Sequence, residues 1–387
     1  MDSNVRLHTP GPVQLSPLVQ RALAAQHPHH RTEAFRTQVR GLKPLLSRFF
    51  RTRHPALVLT TTGTGAMEAA LASLAQPGQR SLSIVAGKFG NRWAQMSQAL
   101  GLDARVLAVP WGRAVDPEDV ARRLDEDEPH LLLATQVETS TGVLHPIEAL
   151  ADLARGHDTL LVVDAVSALG GHPLEMDRWG VDAVVSGSQK VLALPPGLGL
   201  VALGERALAR LGTGSIPRFS LDLSRALSSW DEDTFPFTPS VPLIAALAAS
   251  LEDFLRPGME ERWRQFALLS EVARGAAASM GCDLFPESPA STLTTLVPPG
   301  GVPPKAVMET MERIFRIRIA GGQEKLKGKI LRLGHMGDYG PGDLLMALAA
   351  LQGSLRVAGV PAAADLGPWA EMLARAWAPS APETVAP

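Results

Sequence analysis

From residue 55 to residue 203, short apolar segments alternate with helical ones, and this alternation restricts the possible folds more than any other feature. Seven segments rich in aliphatic and β-branched residues are predicted as strands: 56–61, 82–86, 105–109, 131–135, 160–164, 183–186 and 198–203. Helices are predicted between several of them, at 66–74, 92–100, 117–124 and 147–154. Such alternation is typical of a largely parallel sheet covered by helices on both faces. We therefore expect an α/β fold with a mostly parallel seven-stranded sheet.

The segments on either side of this region suggest further parts. The Thr9-Pro10-Gly11-Pro12 segment excludes a helix and predicts an extended arm. Helices are predicted before and after the alternating region, at 18–25, 32–50, 243–255 and 260–280. In the C-terminal part we predict strands near 291–297, 317–320 and 329–334, with helices at 304–314 and 341–357. Thr32 is expected to cap its helix, and Pro341 suits a first helical turn.

These elements divide the chain into four predicted parts. We expect an N-terminal arm (1–16), a large domain (17–255), a smaller C-terminal α+β domain (256–377) and a disordered tail (378–387) rich in Ala and Pro. No internal repeat is visible in the sequence.

Composition excludes several classes of protein. A net charge of −2 gives no electrostatic reason to expect nucleic acid or an anionic membrane as a partner. Cys282 is the only cysteine, so the chain can form neither an intrachain disulfide nor a cysteine metal cluster. His27, His29 and His30 lie close together, but a polar loop is favoured over a metal site because no carboxylate or cysteine completes a ligand set. The N-terminus lacks a signal pattern, so a cytoplasmic protein is expected.

Chemically capable residues follow the predicted strands. Asp164 ends one strand, and Lys190 follows the next in the segment Ser186-Gly187-Ser188-Gln189-Lys190. In parallel sheets, ligands bind beyond the carboxyl ends of the strands, where Thr62, Glu138, Asp164 and Lys190 all fall. A desolvated lysine amine can attack carbonyl groups and form a Schiff base. The turn Thr62-Gly63-Thr64-Gly65 before a helix suits phosphate, since glycines allow close approach and the helix start offers free N–H groups.

The order of these motifs resembles that of a known family. The glycine-rich turn is followed by Gly87-Lys88-Phe89-Gly90-Asn91-Arg92, then by Glu138-Thr139-Ser140-Thr141-Gly142, Val163-Asp164-Ala165-Val166-Ser167 and the lysine segment. The chain resembles the class V pyridoxal phosphate-dependent aminotransferases, and within them the alanine/serine–glyoxylate (serine–pyruvate) aminotransferase family. The resemblance runs from Thr9 to about Gly337. It implies pyridoxal 5′-phosphate as cofactor, fold type I, and transfer of an amino group from alanine or serine to glyoxylate or pyruvate.

The resemblance also implies roles for individual residues. Lys190 would carry the cofactor as a Schiff base and move the proton at the substrate carbon, and Asp164 would pair with the pyridinium nitrogen. Val166 and Phe89 would pack on the two faces of the ring, and Thr139 would hydrogen-bond its phenolic oxygen.

Phosphate and substrate contacts follow from the same resemblance. Phosphate contacts are implied for Thr62, Gly63, Thr64, Gln189 and the partner subunit's Thr238. Arg332 would clamp the substrate carboxylate, and the arm with Gly11 and Pro12 would close over the substrate. A homodimer with shared active sites is therefore expected.

The sequence departs from the family at some positions, and this leaves other functions open. Close relatives typically carry Trp where Phe89 stands, some relatives have Ser-Gly-His in place of Thr62-Gly63-Thr64, and some have a phosphate-binding Tyr in place of Phe235. A phosphonate or phosphoserine aminotransferase would need additional basic residues near the substrate, for which Arg31 and Arg92 are candidates. A desulfurase or related lyase would need Cys282 as a mobile nucleophile. A non-catalytic subunit or binding module of a larger complex is the alternative outside enzymes.

Overall fold

The strands and helices of the chain were located in a computed structural model, which describes residues 5–361 and 363–377. The strands are β1 (Arg6–Leu7), β2 (Ala56–Leu59), β3 (Arg80–Val85), β4 (Asp103–Ala108), β5 (Leu131–Thr135), β6 (Val137–Glu138), β7 (Val143–Leu144), β8 (Leu160–Asp164), β9 (Ala183–Gly187), β10 (Gly199–Leu203), β11 (Asp283–Leu284), β12 (Leu293–Val297), β13 (Ile317–Arg318), β14 (Ala320–Gly321) and β15 (Leu331–Gly334).

The α-helices were assigned over the same residues. They are α1 (Pro17–Ala24), α2 (Glu33–Phe50), α3 (Gly63–Leu74), α4 (Lys88–Ala99), α5 (Pro117–Asp127), α6 (Ile147–Gly156), α7 (Met176–Trp179), α8 (Glu205–Arg210), α9 (Leu223–Asp231), α10 (Val241–Phe254), α11 (Met259–Ser279), α12 (Pro304–Phe315), α13 (Pro341–Val357) and α14 (Gly367–Trp377). Two short 3₁₀ turns lie at Pro299–Gly301 and Glu324–Leu326. In the described ranges, no helix is both long enough and apolar enough to cross a bilayer.

The central sheet has seven strands in the order β2-β10-β9-β8-β5-β3-β4. Only β10 runs antiparallel to its neighbours, β2 and β9; the other strand pairs are parallel. Every residue of β5, β8, β9 and β10 is buried. This agrees with their continuous apolar sequences, since parallel strands covered on both faces need no polar side. The predicted mostly parallel seven-stranded sheet is confirmed, and each predicted strand contributes to it.

Helices pack against this sheet by their apolar faces. α3 packs on β9 and β10, α4 packs on β3, β4 and β5, and α6 packs on β8. The long amphipathic α2 begins after Thr32, whose hydroxyl accepts from the Phe35 N–H at 3.4 Å, so the predicted cap is confirmed.

A second sheet and a second apolar cluster lie in the C-terminal part. The strands β11-β12-β15-β14 form an antiparallel sheet of four, and α11, α12, α13 and α14 bury their apolar faces with it. α13 begins at Pro341 as predicted. Met259 and Phe266 of α11 belong to the first cluster, while Leu268 and Leu269 belong to the second. One helix thus joins both clusters, and the division between residues 255 and 256 stays a prediction.

Several elements were not predicted. α9 lies between the predicted strand 198–203 and the predicted helix 243–255, where no element was predicted; Asp222 caps it by accepting from the N–H groups of Ser224 and Arg225. α14 lies just before the tail 378–387, which is outside the described residues. β1 places the arm against the C-terminal part, since it pairs in parallel with β13. Such pairing depends on a partner more than 300 residues away, so no local pattern indicates it.

Candidate active site

A cavity of about 250 Å³ lies where the central strands end. Its walls come from the arm, from the segments that follow β2, β3, β5, β8 and β9, and from the start of α3 and α4. They are Gly11, Pro12, Thr62, Gly63, Thr64, Met67, Phe89, Arg92, Val137, Thr139, Asp164, Val166, Ser167, Gln189, Lys190 and Pro196. The position agrees with the general rule that α/β sheets bind ligands at the carboxyl ends of their strands.

Lys190 lies in the turn after β9 and is only 7% exposed. The turn is fixed by Ser188, whose hydroxyl donates to the Pro195 carbonyl at 2.6 Å and accepts from the Leu198 N–H at 3.2 Å. The Lys190 amine donates to the carbonyl of Pro10 in the arm. Burial, with smaller contributions from two arginines, lowers the pKa of Lys190 to about 8, and the nearby Asp164 opposes this shift. A lysine with so low a pKa has an appreciable neutral, nucleophilic fraction near neutral pH.

Gly11 makes the close approach of the arm to this lysine possible. Its φ is +99°, and a Cβ at this position would lie 2.5 Å from Cδ and 2.7 Å from Nζ of Lys190. Any other residue would therefore collide with the lysine side chain and adopt a strained backbone as well. Of the predicted arm residues, Gly11 thus lies against the lysine side chain, and Pro12 lines the same cavity.

Asp164 ends β8 and is 4% exposed. One carboxylate oxygen accepts from the Val166 N–H at 2.9 Å. Burial, with a smaller contribution from the charge of Glu138, raises the pKa of Asp164 to about 6; the Val166 N–H, Arg92 and Lys190 oppose the rise. A buried carboxylate with one backbone donor retains capacity for a cationic partner, and Asp164 shares its cavity with Lys190.

The turn after β2 provides backbone donors. α3 begins at Gly63, and its N-cap Thr62 accepts from the Gly65 N–H at 3.2 Å. A Cβ on Gly63 would lie 2.9 Å from Cγ2 of Val166, so the turn and the residue after β8 are in tight contact. Gln189 adds an unsatisfied acceptor, because its buried Oε1 has no hydrogen-bond partner. Because Gln189 lines the cavity, a ligand bound there could supply the missing donor.

The remaining predicted residues divide into those at the cavity and those away from it. Thr139 shares a 2.5 Å hydrogen bond with the hydroxyl of Ser167, and both line the cavity with Phe89. Arg332 is buried just behind the wall: its Nη1 donates to the Thr139 carbonyl at 2.8 Å and its Nε to the Gly321 carbonyl at 2.9 Å. Thr238 is exposed and lines no part of this cavity.

Other residues at the cavity were given no role, or only a weak one, from the sequence. Ser167 follows Asp164 in the segment after β8, and its contact with Thr139 depends on how β8 lies beside β5. Arg92 donates to the Thr64 hydroxyl at 3.1 Å and stacks its guanidinium 4.7 Å from the centre of the Phe89 ring. In the sequence, Arg92 follows Phe89 by one helical turn, and this spacing places both side chains on the same face of a helix.

The residues present fit the cofactor that the resemblance implied. The free N–H groups at the start of α3, the orphaned Gln189 Oε1, the amine of Lys190 and the carboxylate of Asp164 meet in one cavity. A phosphate, an aldehyde and a ring nitrogen each find a group of suitable chemistry there. Cys282, by contrast, is buried within the second apolar cluster, and burial raises the pKa of its thiol to about 11. That environment gives no support to a cysteine nucleophile.

Comparison with known proteins gives consistent results. The soluble hydrogenase small subunit of a Synechococcus species is 34% identical and aligns over 92% of this chain and 94% of its own length. The serine–glyoxylate aminotransferase of Methylorubrum extorquens is 33% identical over 90% of both chains. The solved structure of an aspartate aminotransferase from Thermus thermophilus is 38% identical, with a TM-score of 0.86, and covers 91% of this chain and 99% of that one.

These likenesses confirm the predicted fold type I and the predicted resemblance. The sequence model of the aminotransferase class V family matches residues 18–326, which include every element around the cavity except the arm. Membership of this family implies the use of pyridoxal phosphate, with amino acids and keto acids as substrates. The chain belongs to the class V aminotransferases.

Proposed function

We propose that this aminotransferase moves an amino group from a small L-amino acid, alanine or serine, to a short 2-oxo acid such as glyoxylate or pyruvate. The observation that carries the proposal is the shared cavity of a low-pKa lysine and a buried carboxylate at the ends of adjacent strands, β9 and β8. The serine–glyoxylate name of one relative supports the choice of substrates.

Pyridoxal 5′-phosphate is proposed as the cofactor. When bound, it supplies an aldehyde that exchanges amines and a pyridinium ring that withdraws electrons from the substrate carbon. The start of α3 with Thr62, Gly63 and Thr64 would hold the phosphate, together with the Gln189 side chain, whose NH₂ group can donate to phosphate oxygens. Asp164 would keep the ring nitrogen protonated, with Val166 and Phe89 on the two ring faces and Thr139 at the phenolic oxygen.

Proton transfer is proposed for Lys190. Its amine, once released from the Pro10 carbonyl, is the basic group in the cavity that can take the proton from the substrate carbon and return it. A pKa near 8 suits both steps, because a useful catalytic base titrates close to the working pH. The arm with Gly11 and Pro12 would exclude water above it.

Arg332 is proposed to bind the substrate α-carboxylate. Two of its nitrogens donate to backbone carbonyls, which fixes the guanidinium plane while Nη2 remains for a ligand. One of these carbonyls belongs to Thr139, so the arginine is bonded directly to a residue that lines the cavity.

Arg92 favours a second class of amino donor. It lines the cavity as an additional guanidinium, and an arginine in such a position can bind the side-chain carboxylate of a dicarboxylic amino acid. The aspartate aminotransferase of Thermus thermophilus is among the similar structures. Aspartate therefore belongs in any test of donors.

A donor–acceptor screen followed by the absorbance of the bound cofactor tests the proposal. The purified protein should show a Schiff-base absorption band that alanine or serine converts and glyoxylate restores. If aspartate converted the band in preference to alanine and serine, the amino donor would instead be a dicarboxylic amino acid. A protein that binds no pyridoxal phosphate, or whose band no amino acid changes, would contradict the proposed function and favour a non-catalytic subunit.

A homodimer with shared active sites is proposed from the position of Thr238. In one chain this residue is exposed and does not line the cavity, as expected if the partner subunit's Thr238 contacts the phosphate. Mixing inactive Lys190→Ala chains with Thr238→Val chains should restore some activity, because one site of each mixed dimer would be intact. Sedimentation as a monomer at the assay concentration would contradict the proposal.

A further inference from the structure

Glu138 ends β6 between two residues that line the cavity, Val137 and Thr139, and is completely buried. Its carboxylate accepts four hydrogen bonds. Oε2 accepts from the N–H groups of Phe89 at 3.0 Å and Gly90 at 2.9 Å, and Oε1 accepts from the N–H of Ser140 at 3.1 Å and its hydroxyl at 2.5 Å. All four contacts place a donor on Glu138, and such donors favour the ionised carboxylate. Burial raises the pKa of Glu138, and these donors oppose the rise.

Two of these contacts complete a helix that has no cap of its own. α4 begins after Gly87, which has no side chain to accept from the first free N–H groups. Glu138 satisfies two of them, and the Ser140 hydroxyl accepts from the Lys88 N–H at 3.0 Å. A Cβ on Gly87 would lie 2.4 Å from Cδ of Glu138, so the glycine leaves the space that the carboxylate occupies. The negative charge also lies at the positive end of the helix dipole.

The same carboxylate connects three parts of the proposed active site. Phe89, the proposed ring-stacking residue, is held through its own N–H. Thr139, the proposed partner of the phenolic oxygen, is the next residue in the chain. The Thr139 carbonyl accepts from Nη1 of Arg332, and the charge of Glu138 favours the protonated form of that arginine. A displacement of Glu138 would therefore move the ring-stacking, oxygen-binding and carboxylate-binding groups together.

We propose that Glu138 is a positioning residue that fixes Phe89, Thr139 and Arg332 relative to one another, so that cofactor binding and substrate-carboxylate binding depend on one buried carboxylate. The inference rests on the proposed function, since it concerns the residues assigned there. Glu138 itself does not line the cavity and takes no part in the bond changes.

Glu138→Gln tests the proposal. The amide retains one acceptor for the α4 N–H groups but turns an NH₂ group toward the Ser140 N–H. The two hydrogen bonds from Ser140 to the carboxylate are therefore lost. We expect the affinity of the apoprotein for pyridoxal phosphate to fall about 10- to 100-fold, as for loss of a hydrogen bond to a charged group. We also expect the pH at which the cofactor absorption band titrates to shift and KM for the amino donor to rise. A residue with only a structural role would lower thermal stability without moving the titration of the band.

Asp182→Asn is the matched control. Asp182 is a buried carboxylate that precedes β9 at the opposite edge of the same sheet, where it accepts from the Leu161 N–H at 2.8 Å and lies 3.6 Å from Arg206. Its amide variant should lose stability yet retain the cofactor affinity and band titration of the wild type. Ser140→Ala is a milder change of the same cluster and should shift both readouts in the direction of Glu138→Gln if that variant does not fold.

The outcomes separate this inference from the proposed function. If the wild type binds pyridoxal phosphate and transaminates, but Glu138→Gln and Ser140→Ala keep its affinity and band titration, the positioning role is refuted and the proposed function stands. If Asp182→Asn shifts the band as strongly as Glu138→Gln, the effect is general destabilisation and the positioning role is again refuted. A wild type without a Schiff-base band refutes the proposed function itself.

Discussion

Buried polar groups are paired differently at the two ends of the parallel strands, which form the amino edge and the carboxyl edge of the central sheet. At the amino edge, Asp182 accepts from the Leu161 N–H and lies near Arg206, and the Thr159 hydroxyl donates to the Pro129 carbonyl at 2.7 Å. At the carboxyl edge, Gln189 keeps an unsatisfied buried oxygen and the Lys190 amine reaches only a carbonyl of the arm. The Asp182 carboxylate and the Thr159 hydroxyl thus find partners within the chain, whereas the groups at the carboxyl edge retain capacity for a ligand.

This difference indicates where stability has been given up for function. A buried amine or amide without full compensation costs folding free energy, and such groups persist where a ligand or reaction requires them. Variants at the carboxyl edge should therefore change chemistry more than stability, and equivalent variants at the amino edge should do the reverse.

Lys190→Met should produce the largest effect. Turnover should be lost, because no other residue is proposed to form the Schiff base or move the proton. The apoprotein should become more stable by roughly 1–3 kcal/mol at pH 7, since burial of the protonated amine is no longer required. Because burial lowers the pKa of Lys190 to about 8 from 10.5, the wild-type amine destabilises the fold below pH 8, and stability rises as the pH increases from about 8 to 10.5.

Denaturant unfolding of both apoproteins and a single-turnover assay measure these effects. Lys305→Met, at an exposed position on α12, is the control and should change neither quantity. A Lys190→Met apoprotein less stable than the wild type would contradict the view that burial of this lysine lowers the free energy of unfolding.

Asp164→Asn and Asp182→Asn form the pair that compares the edges directly. The change at Asp164 should lower kcat by about 10²- to 10⁴-fold, because a neutral amide cannot keep a ring nitrogen protonated. The change at Asp182 should leave kcat near the wild-type value but lower the unfolding free energy by about 1–3 kcal/mol. Steady-state kinetics and chemical denaturation of both variants provide the measurements. Equal losses of activity in the two would remove the distinction between the edges.

The pH dependence of cofactor capture should show a smaller effect. Only the neutral Lys190 amine can attack an aldehyde, so the rate at which the apoprotein develops the Schiff-base band should rise with pH and level off above pH 8. The neutral fraction, and so the rate, should increase about tenfold between pH 7 and pH 9. Stopped-flow absorbance at fixed cofactor concentration measures it. A rate that keeps rising toward pH 10.5 would mean that Lys190 titrates like an exposed lysine.

Thr139→Val and Thr159→Val should have the smallest effects. Thr139 lines the cavity and bonds Ser167, so its variant should lower kcat/KM for the amino donor about three- to tenfold. Thr159→Val leaves the Pro129 carbonyl unpaired and should cost about 1–2 kcal/mol of stability without changing kcat/KM. Matched kinetic and unfolding measurements on both variants test the pair. A loss of kcat/KM in Thr159→Val but not in Thr139→Val would contradict the assignment of chemistry to the carboxyl edge and of stability to the amino edge.

Much of the architecture could be predicted because its signals are local. The apolar runs that became β5, β8 and β9 are continuous, and strand–helix alternation allows few topologies. Asp164 and Lys190 could be placed at one edge because the carboxyl ends of parallel strands coincide. The roles of the individual site residues stay predictions, although the structure brings most of them to one cavity.

Sequence alone therefore determined the sheet and the family and predicted which side chains are chemically active, since these depend on local composition and on motif order. The tertiary structure decided which backbone groups those side chains meet. Glu138 reaches the start of α4 from another strand, Arg332 bonds a carbonyl 193 residues away, and the arm crosses the chain to contact Lys190. Contacts between distant segments depend on how packed elements lie against each other, and no local pattern of residues encodes that.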